Sequence, residues 1–170
     1  ARAGGLRGPG QETWVILERG GRVAVTPFEA LIHEPRNNIY VRSHDTIYVY
    51  REPQTFLAFG AVTVQNQIPF GTWKLSLGEA LGKAGGLNDD RSDPYGVFVL
   101  RYEPARLAQK YPNVPQKFLS RGVVPVAYRL NMRDPTSLFR ARRFNMRDKD
   151  ILYVSHAPIT EVEKVFRLVN

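Results

Sequence analysis

Cysteine is absent from the 170 residues. That removes disulfides, thiolate metal ligands and cysteine nucleophiles, and leaves the redox compartment open. No apolar run approaches the roughly eighteen residues that a membrane-crossing helix needs. The opening Ala1-Arg2-Ala3-Gly4-Gly5 lacks the apolar core of a signal peptide. Histidine is scarce, three in all; His33 and His156 have no ligand-spaced partner, so no metal site is expected. Acid is the scarcer sign of charge, with 16 Asp and Glu against 24 Lys and Arg.

The cationic surplus is uneven. Between Arg91 and Lys149 thirteen lysines and arginines face four acids. Such a surface attracts polyanions, whether acidic glycan, nucleic acid or anionic headgroups, and charge alone does not choose among them. A hydrophobic content of 43% is enough for a packed interior.

What is present is a repeat. The phrase A-G-G-L occurs at Ala3 to Leu6 and again at Ala84 to Leu87. Downstream of the first come Trp14-Val15-Ile16-Leu17, Val23-Ala24-Val25 and Arg42 to Val49; downstream of the second come Val97-Phe98-Val99-Leu100, Val126-Ala127-Tyr128 and Arg147 to Val154. The last block reads R-x-x-D-[TI]-[IL]-Y-V-x-x-x-P in both, and a repeat of this kind governs the reading of the whole fold. The second copy is longer, mainly within Arg101 to Val124, which reads as a long connection with one helical turn at Pro104 to Lys110.

The second copy also has an opening. Thr55 to Val64 is rich in aromatic and β-branched residues, Gln65-Asn66-Gln67 reads as a turn, and Ile68-Pro69-Phe70 follows. Leu75, Leu77, Ala80, Leu81 and Ala84 then recur at helical spacing, with Ser76 as N-cap and Glu79 completing a capping box. A helix ends readily on a residue of positive φ, which glycine adopts at no side-chain cost. A-G-G-L is therefore expected to be a helix C-cap used twice. On this reading the first copy lacks its opening hairpin and helix, and the chain is a fragment of something longer.

Hairpin, helix, strand, long connection, strand, a short helix near Pro135 to Ala141, and a last strand are the order of a β-grasp domain, with the helix on one sheet face. Because Phe56 to Val62 is apolar on both alternating faces, that strand is expected to be covered on both sides, by the helix and by a neighbouring domain. The fold class is therefore α+β, as tandem β-grasp-like domains. Residues 1–53 form the C-terminal part of a first domain and residues 54–158 a complete second one. Residues 159–170 begin a short amphipathic helix.

The block Phe59-Gly60-Ala61-Val62 through Phe70, the run from Leu75 to Glu103, Asp134-Pro135, Arg147 to Val154 and Ala157-Pro158 resemble the SLBB (soluble-ligand-binding β-grasp) domain of outer-membrane polysaccharide export proteins. The resemblance covers the second copy completely and the first from its Gly-Gly onward. It implies a periplasmic, ring-forming homo-oligomer that is part of a conduit for capsule or exopolysaccharide. Its implied partners are the polysaccharide, an inner-membrane polysaccharide co-polymerase or transporter, and the outer membrane through segments not in this chain; nucleic acid is not among them. The family's lipid-bearing cysteine is not in these residues, and Gln65-Asn66-Gln67 replaces its usual proline-glycine turn.

No catalytic or cofactor site is expected. Ser43-His44-Asp45 are consecutive and cannot face one another as nucleophile, base and orienter. Asp45 and Asp150 each precede a strand, where a carboxylate accepts turn N–H groups. Asp89, Asp90 and Asp93 lack a calcium-loop pattern, and neither Gly-Gly opens a helix as a phosphate loop would. A glycan-cleaving enzyme needs two carboxylates across a cleft, for which Glu79 and Glu103 are the only candidates. The best ligand or subunit contact is the aromatic-basic mixture carrying Arg101, Tyr102, Arg129, Arg140, Arg142 and Arg143, because arginine forks bind carboxylates and aromatic faces stack on sugars. Against that stands the expectation that Phe139 and Phe144 are core, with the arginines on a rim. A basic β-grasp module binding an acidic glycan or other polyanion is the alternative function.

Overall fold

The computed structural model describes residues 4–6, 8–88, 91–108, 120 and 122–156. They cluster into two units, one running to Gln54 and including Pro69–Lys74, the other comprising Thr55–Ile68 and the chain from Leu75 onward.

In the first unit, strands β1 (Thr13–Arg19), β2 (Arg22–Pro27) and β3 (Thr46–Arg51) form an antiparallel sheet in the order β2-β1-β3. Gly20 and Gly21, at φ 53° and 75°, supply the two-residue turn that joins β1 to β2. A short helix, α1 (Phe28–His33), follows Pro27 and buries Ala30.

In the second unit, β4 (Thr55–Gly60), β5 (Gln67–Pro69), β6 (Val97–Pro104), β7 (Val123–Leu130) and β8 (Ile151–Val154) form a mixed sheet in the order β5-β4-β8-β6-β7. Strands β4 and β8 run parallel, and β6 is antiparallel to both its neighbours. Alternation sends Phe56, Ala58, Val97, Val99, Leu152 and Val154 to one face, where all are buried. Helices α2 (Leu77–Lys83) and α4 (Thr136–Arg143) pack against each other there; α3 (Ala105–Ala108) is a single turn after β6. No helix among the described residues is long and apolar enough to cross a membrane, which says nothing of a β-barrel.

The α+β class stands. The punctuation of α2 is as expected: Ser76 Oγ accepts from the Glu79 N–H, and the Glu79 carboxylate accepts from the Ser76 N–H. Gly85 and Gly86, at φ 76° and 78°, close the helix, with the Gly86 N–H donating to Leu81 O at 2.9 Å and the Gly85 N–H to Gly82 O at 3.0 Å. Gly4 and Gly5 adopt the same pair of conformations, φ 82° and 74°.

Two boundaries differ from the sequence reading. The first strand of the second copy ends at Gly60 rather than Val64, because Gly60 turns to φ 84° and the Ala61 N–H donates to Val154 O. The connection expected from Arg101 is instead the continuation of β6 to Pro104, since Arg101 and Glu103 face inward where they find charged partners. The amphipathic helix expected over 159–170 lies outside the described residues.

Candidate functional site

The recurring R-x-x-D block folds identically in both units. Arg42-Ser43-His44-Asp45 and Arg147-Asp148-Lys149-Asp150 make the same turn, each with a non-glycine residue of positive φ before the aspartate, His44 at 69° and Lys149 at 66°. The Asp45 carboxylate accepts from the Arg42 N–H at 2.7 Å, and the Asp150 carboxylate from the Arg147 N–H at 2.7 Å. Each aspartate is also gripped by an arginine fork. Arg19 donates to both oxygens of Asp45 at 2.8 and 2.6 Å, and Arg101 does the same to Asp150 at the same two distances. The spare donors of the forks reach Tyr40 O at 2.9 Å and Asn145 O at 3.0 Å.

This fork corrects the alignment of the copies. Leu17 stands opposite Ile47, and Val99 opposite Leu152, so Leu17-Glu18-Arg19 matches Val99-Leu100-Arg101. That places Trp14 to Leu17 one residue out of step with the pairing that the apolar blocks suggest. Shifting the block by one residue brings the two arginines into line, a signal available in the sequence.

Around Arg101 the second unit builds a larger cluster. Glu103 accepts from Tyr128 Oη at 2.8 Å and from Arg147 at 2.9 Å, and the Arg101 guanidinium lies 3.6 Å from it. The Arg101 side chain is 7% exposed and its carbon Cζ sits 5.2 Å from the Phe144 ring centre, with Tyr128 and Phe144 edge to face. Burial works against the charged Arg101, but the Asp150 hydrogen bond and the neighbouring carboxylates outweigh it and hold the proton more tightly than usual. Burial likewise pushes the Glu103 carboxyl up, and its bonds from Tyr128 and Arg147 more than reverse this. Burial and the bond to Glu103 push the Tyr128 phenol up. In the first unit the Arg19 fork and the Arg42 N–H hold Asp45 down to about 2.

Arg101 is therefore tied by its charge to Asp150 and Glu103, with its side chain 7% exposed, and it also lines the larger cavity of the second unit. Glu79 is spent on the cap of α2 and Glu103 on this cluster, so each of the two acids considered for glycan cleavage already has a fold-level task. Asp93 accepts the Tyr95 N–H in a turn, and Asp89 and Asp90 lie outside the described residues.

The rest of the expected set divides between two surfaces. Tyr102 (73% exposed) and Arg129 lie on the sheet face opposite the helices. A cavity of about 710 Å³ opens on that side, floored by Leu100, Tyr102, Pro125, Ala127 and Ile151, with Arg147 and Lys149 at its rim. Arg140, Arg142 and Arg143 are exposed on α4, without an ion pair among the described residues. Phe139 is not core: it is 74% exposed, because α4 buries Ser137 and Ala141 and turns Leu138 and Phe139 the other way. Phe144 is half-buried, its ring edge to face with Tyr128, at the border of the core rather than within it. The first unit holds a smaller recess of about 360 Å³ by Glu29 and Trp73, where His33 stacks on the indole at 5.1 Å and Lys74 Nζ lies 3.9 Å from its centre.

Residues 54–154 match the model of the SLBB domain. Over 99% of its length the chain is 40% identical to the capsule polysaccharide export protein BexD of Haemophilus influenzae and 42% identical to the capsule polysaccharide export outer membrane protein CtrA of Neisseria meningitidis, covering 44% of each. It is 30% identical over the same share to the EPS I polysaccharide export outer membrane protein EpsA of Ralstonia solanacearum, covering 41% of it. The chain thus spans less than half the length of these relatives. With a matched domain over more than half its residues, the chain belongs to the SLBB-domain family.

Proposed function

We propose that this chain is a non-enzymatic, periplasmic part of an outer-membrane polysaccharide exporter, and that its copies form a ring around a passage for capsule or exopolysaccharide. The supporting observation is the likeness over 99% of the chain to relatives named for polysaccharide export. On this reading residues 1–53 are the C-terminal part of one SLBB domain and residues 54–158 a second. The conduit meets an inner-membrane polysaccharide co-polymerase or transporter on one side and the outer membrane, through other segments, on the other.

The mechanism is geometric. Each copy supplies a wedge, copies close head to tail, and transit is favoured by many weak contacts rather than one tight site. The buried ion cluster and the paired turns keep each wedge rigid. The native mass of the full-length protein in detergent tests the ring, and a monomer would overturn it. Restoration of surface polysaccharide in a deletion strain tests the export role.

The exposed arginines Arg140, Arg142 and Arg143 of α4 favour a second reading, capture of an acidic glycan. Retention on heparin that falls steeply with added salt distinguishes it from a purely structural ring.

A further inference from the structure

The second copy of the repeat carries a feature that the first does without. In the first unit β1 and β2 close directly beyond the Arg19–Arg22 pair, on Gly20 and Gly21. In the second, the matching strands run on past Arg101 and Val126 through Tyr102–Pro125 to Pro104–Val123. Strand β8 starts at Ile151, opposite Leu100, so the prolonged hairpin continues beyond it. The cavity of about 710 Å³ lies where that prolongation meets the Arg147–Asp150 turn, and it is within the size range of small-molecule sites. Its lining residues Tyr102 and Pro125 belong to the prolongation, and Leu100 and Ile151 stand where the first copy has Glu18 and Thr46. The arginine fork and its turn form in the first unit without any of this, so the fold itself does not call for the cavity.

Charge around it is sorted by depth. The carboxylates of Glu103 and Asp150 are buried, whereas the side chains of Arg147 and Lys149 are 57% and 78% exposed. Arg147 gives one N–H to Glu103 at 2.9 Å, and Lys149 Nζ lies 3.6 Å from Asp148, beyond hydrogen-bond range. The mouth is thus cationic over a predominantly apolar floor. The carboxylates that line the cavity are already engaged, Asp148 by the Thr55 N–H and Asp150 by Arg101 and the Arg147 N–H. A sugar seated on the floor would leave hydroxyls unpaired, a cost that hydrocarbon does not carry.

We propose that this cavity binds a small anionic amphiphile, with a hydrocarbon body against Leu100, Tyr102, Ala127 and Ile151 and one carboxylate or phosphate head at Arg147 and Lys149. Both cations suit such an oxyanion, the guanidinium as a fork and the ammonium as a point charge. The inference stands on the second unit alone and does not draw on the ring reading.

Photolabelling tests it on the full-length protein in nanodiscs of zwitterionic lipid. A long-chain alkanoate carrying a diazirine is added and irradiated, and labelled peptides are located by mass spectrometry. Label is expected on the peptides holding Leu100 to Tyr102, Pro125 to Ala127 and Ile151. Decanoate and decyl phosphate should displace it, and the stronger competitor identifies the head group. Each CH₂ added between octanoate and decanoate should lower the displacing concentration about fourfold. Ala127→Trp, at an exposed floor position, should fill the cavity and cut the label there by about tenfold, the loss of a few CH₂ contacts. Lys149→Glu should raise the displacing concentration of decanoate about threefold and leave that of decanol unchanged. Label spread along the chain and unmoved by Ala127→Trp, or equal displacement by decyltrimethylammonium, overturns the inference. Displacement by an acidic oligosaccharide with none by decanoate overturns it too, and would make the cavity a glycan site.

Discussion

Removing the Arg101 guanidinium alone leaves the Asp150 and Glu103 carboxylates buried beside an empty volume. Arg101→Leu is expected to destabilise the second unit by about 3–5 kcal/mol, the usual cost of stranding a buried charge. Arg101→Leu/Asp150→Leu should cost clearly less than the sum of the two single changes, which urea unfolding of all three variants would show. Asp45 makes a prediction about acid. Its carboxyl is held at about 2 in the folded chain, below an ordinary aspartate near about 3.9. A depressed carboxylate contributes stability that is fully present above the unfolded value and is lost as pH falls through the folded one. The first unit should therefore lose stability between about pH 4 and about pH 2, and Asp45→Asn should flatten that part of the acid-unfolding profile. An unaltered profile would mean that the Arg19 fork carries no net weight.

Strand and helix ends depend on a few backbone positions. At Gly60, φ is 84° and an added Cβ would run into Val154 O, so Gly60→Ala should displace the β4–β8 junction and cost well over the 1–2 kcal/mol or so of left-handed strain alone. Gly86 has the same kind of φ but open space around it, so Gly86→Ala should cost only about that strain. Thermal unfolding of the two variants would rank them, and equal losses would show that the clash is relieved elsewhere. The features legible in the sequence are those with local causes: the capping box at Ser76 and Glu79, the glycine stop after α2, and the helical turn before Lys110. What escaped depends on partners distant in the chain. Nothing local extends β6 through Glu103; the extension goes with Tyr128 and Arg147, 25 and 44 residues away, which donate to its inward-facing carboxylate. Phe139 looks like core by type, and only the register of α4 against α2 turns it outward.

For the whole molecule, the duplicated R-x-x-D block was readable because a turn with a side-chain lock needs fixed residues at fixed spacing. The arginine that closes the lock was not placed, since one residue of strand register separates the two possible alignments. The candidate contact residues were legible as a composition but not as a site. Of the six, Arg101 went to the interior, while the others spread over two surfaces that only the folded sheet separates.

The clamp carries a hazard as well as a benefit. Two copies of one lock on a single chain can be closed with the wrong key, Arg19 on Asp150 or Arg101 on Asp45. The second copy has an added mark of identity in Glu103 and Tyr128, where the matching positions of the first copy hold Gly21 and Ala24. Refolding should accordingly pass through a mispaired population that is independent of protein concentration. Tyr128→Ala/Glu103→Gly, which erases the difference, should enlarge that population, and double-jump stopped-flow measurements would reveal it.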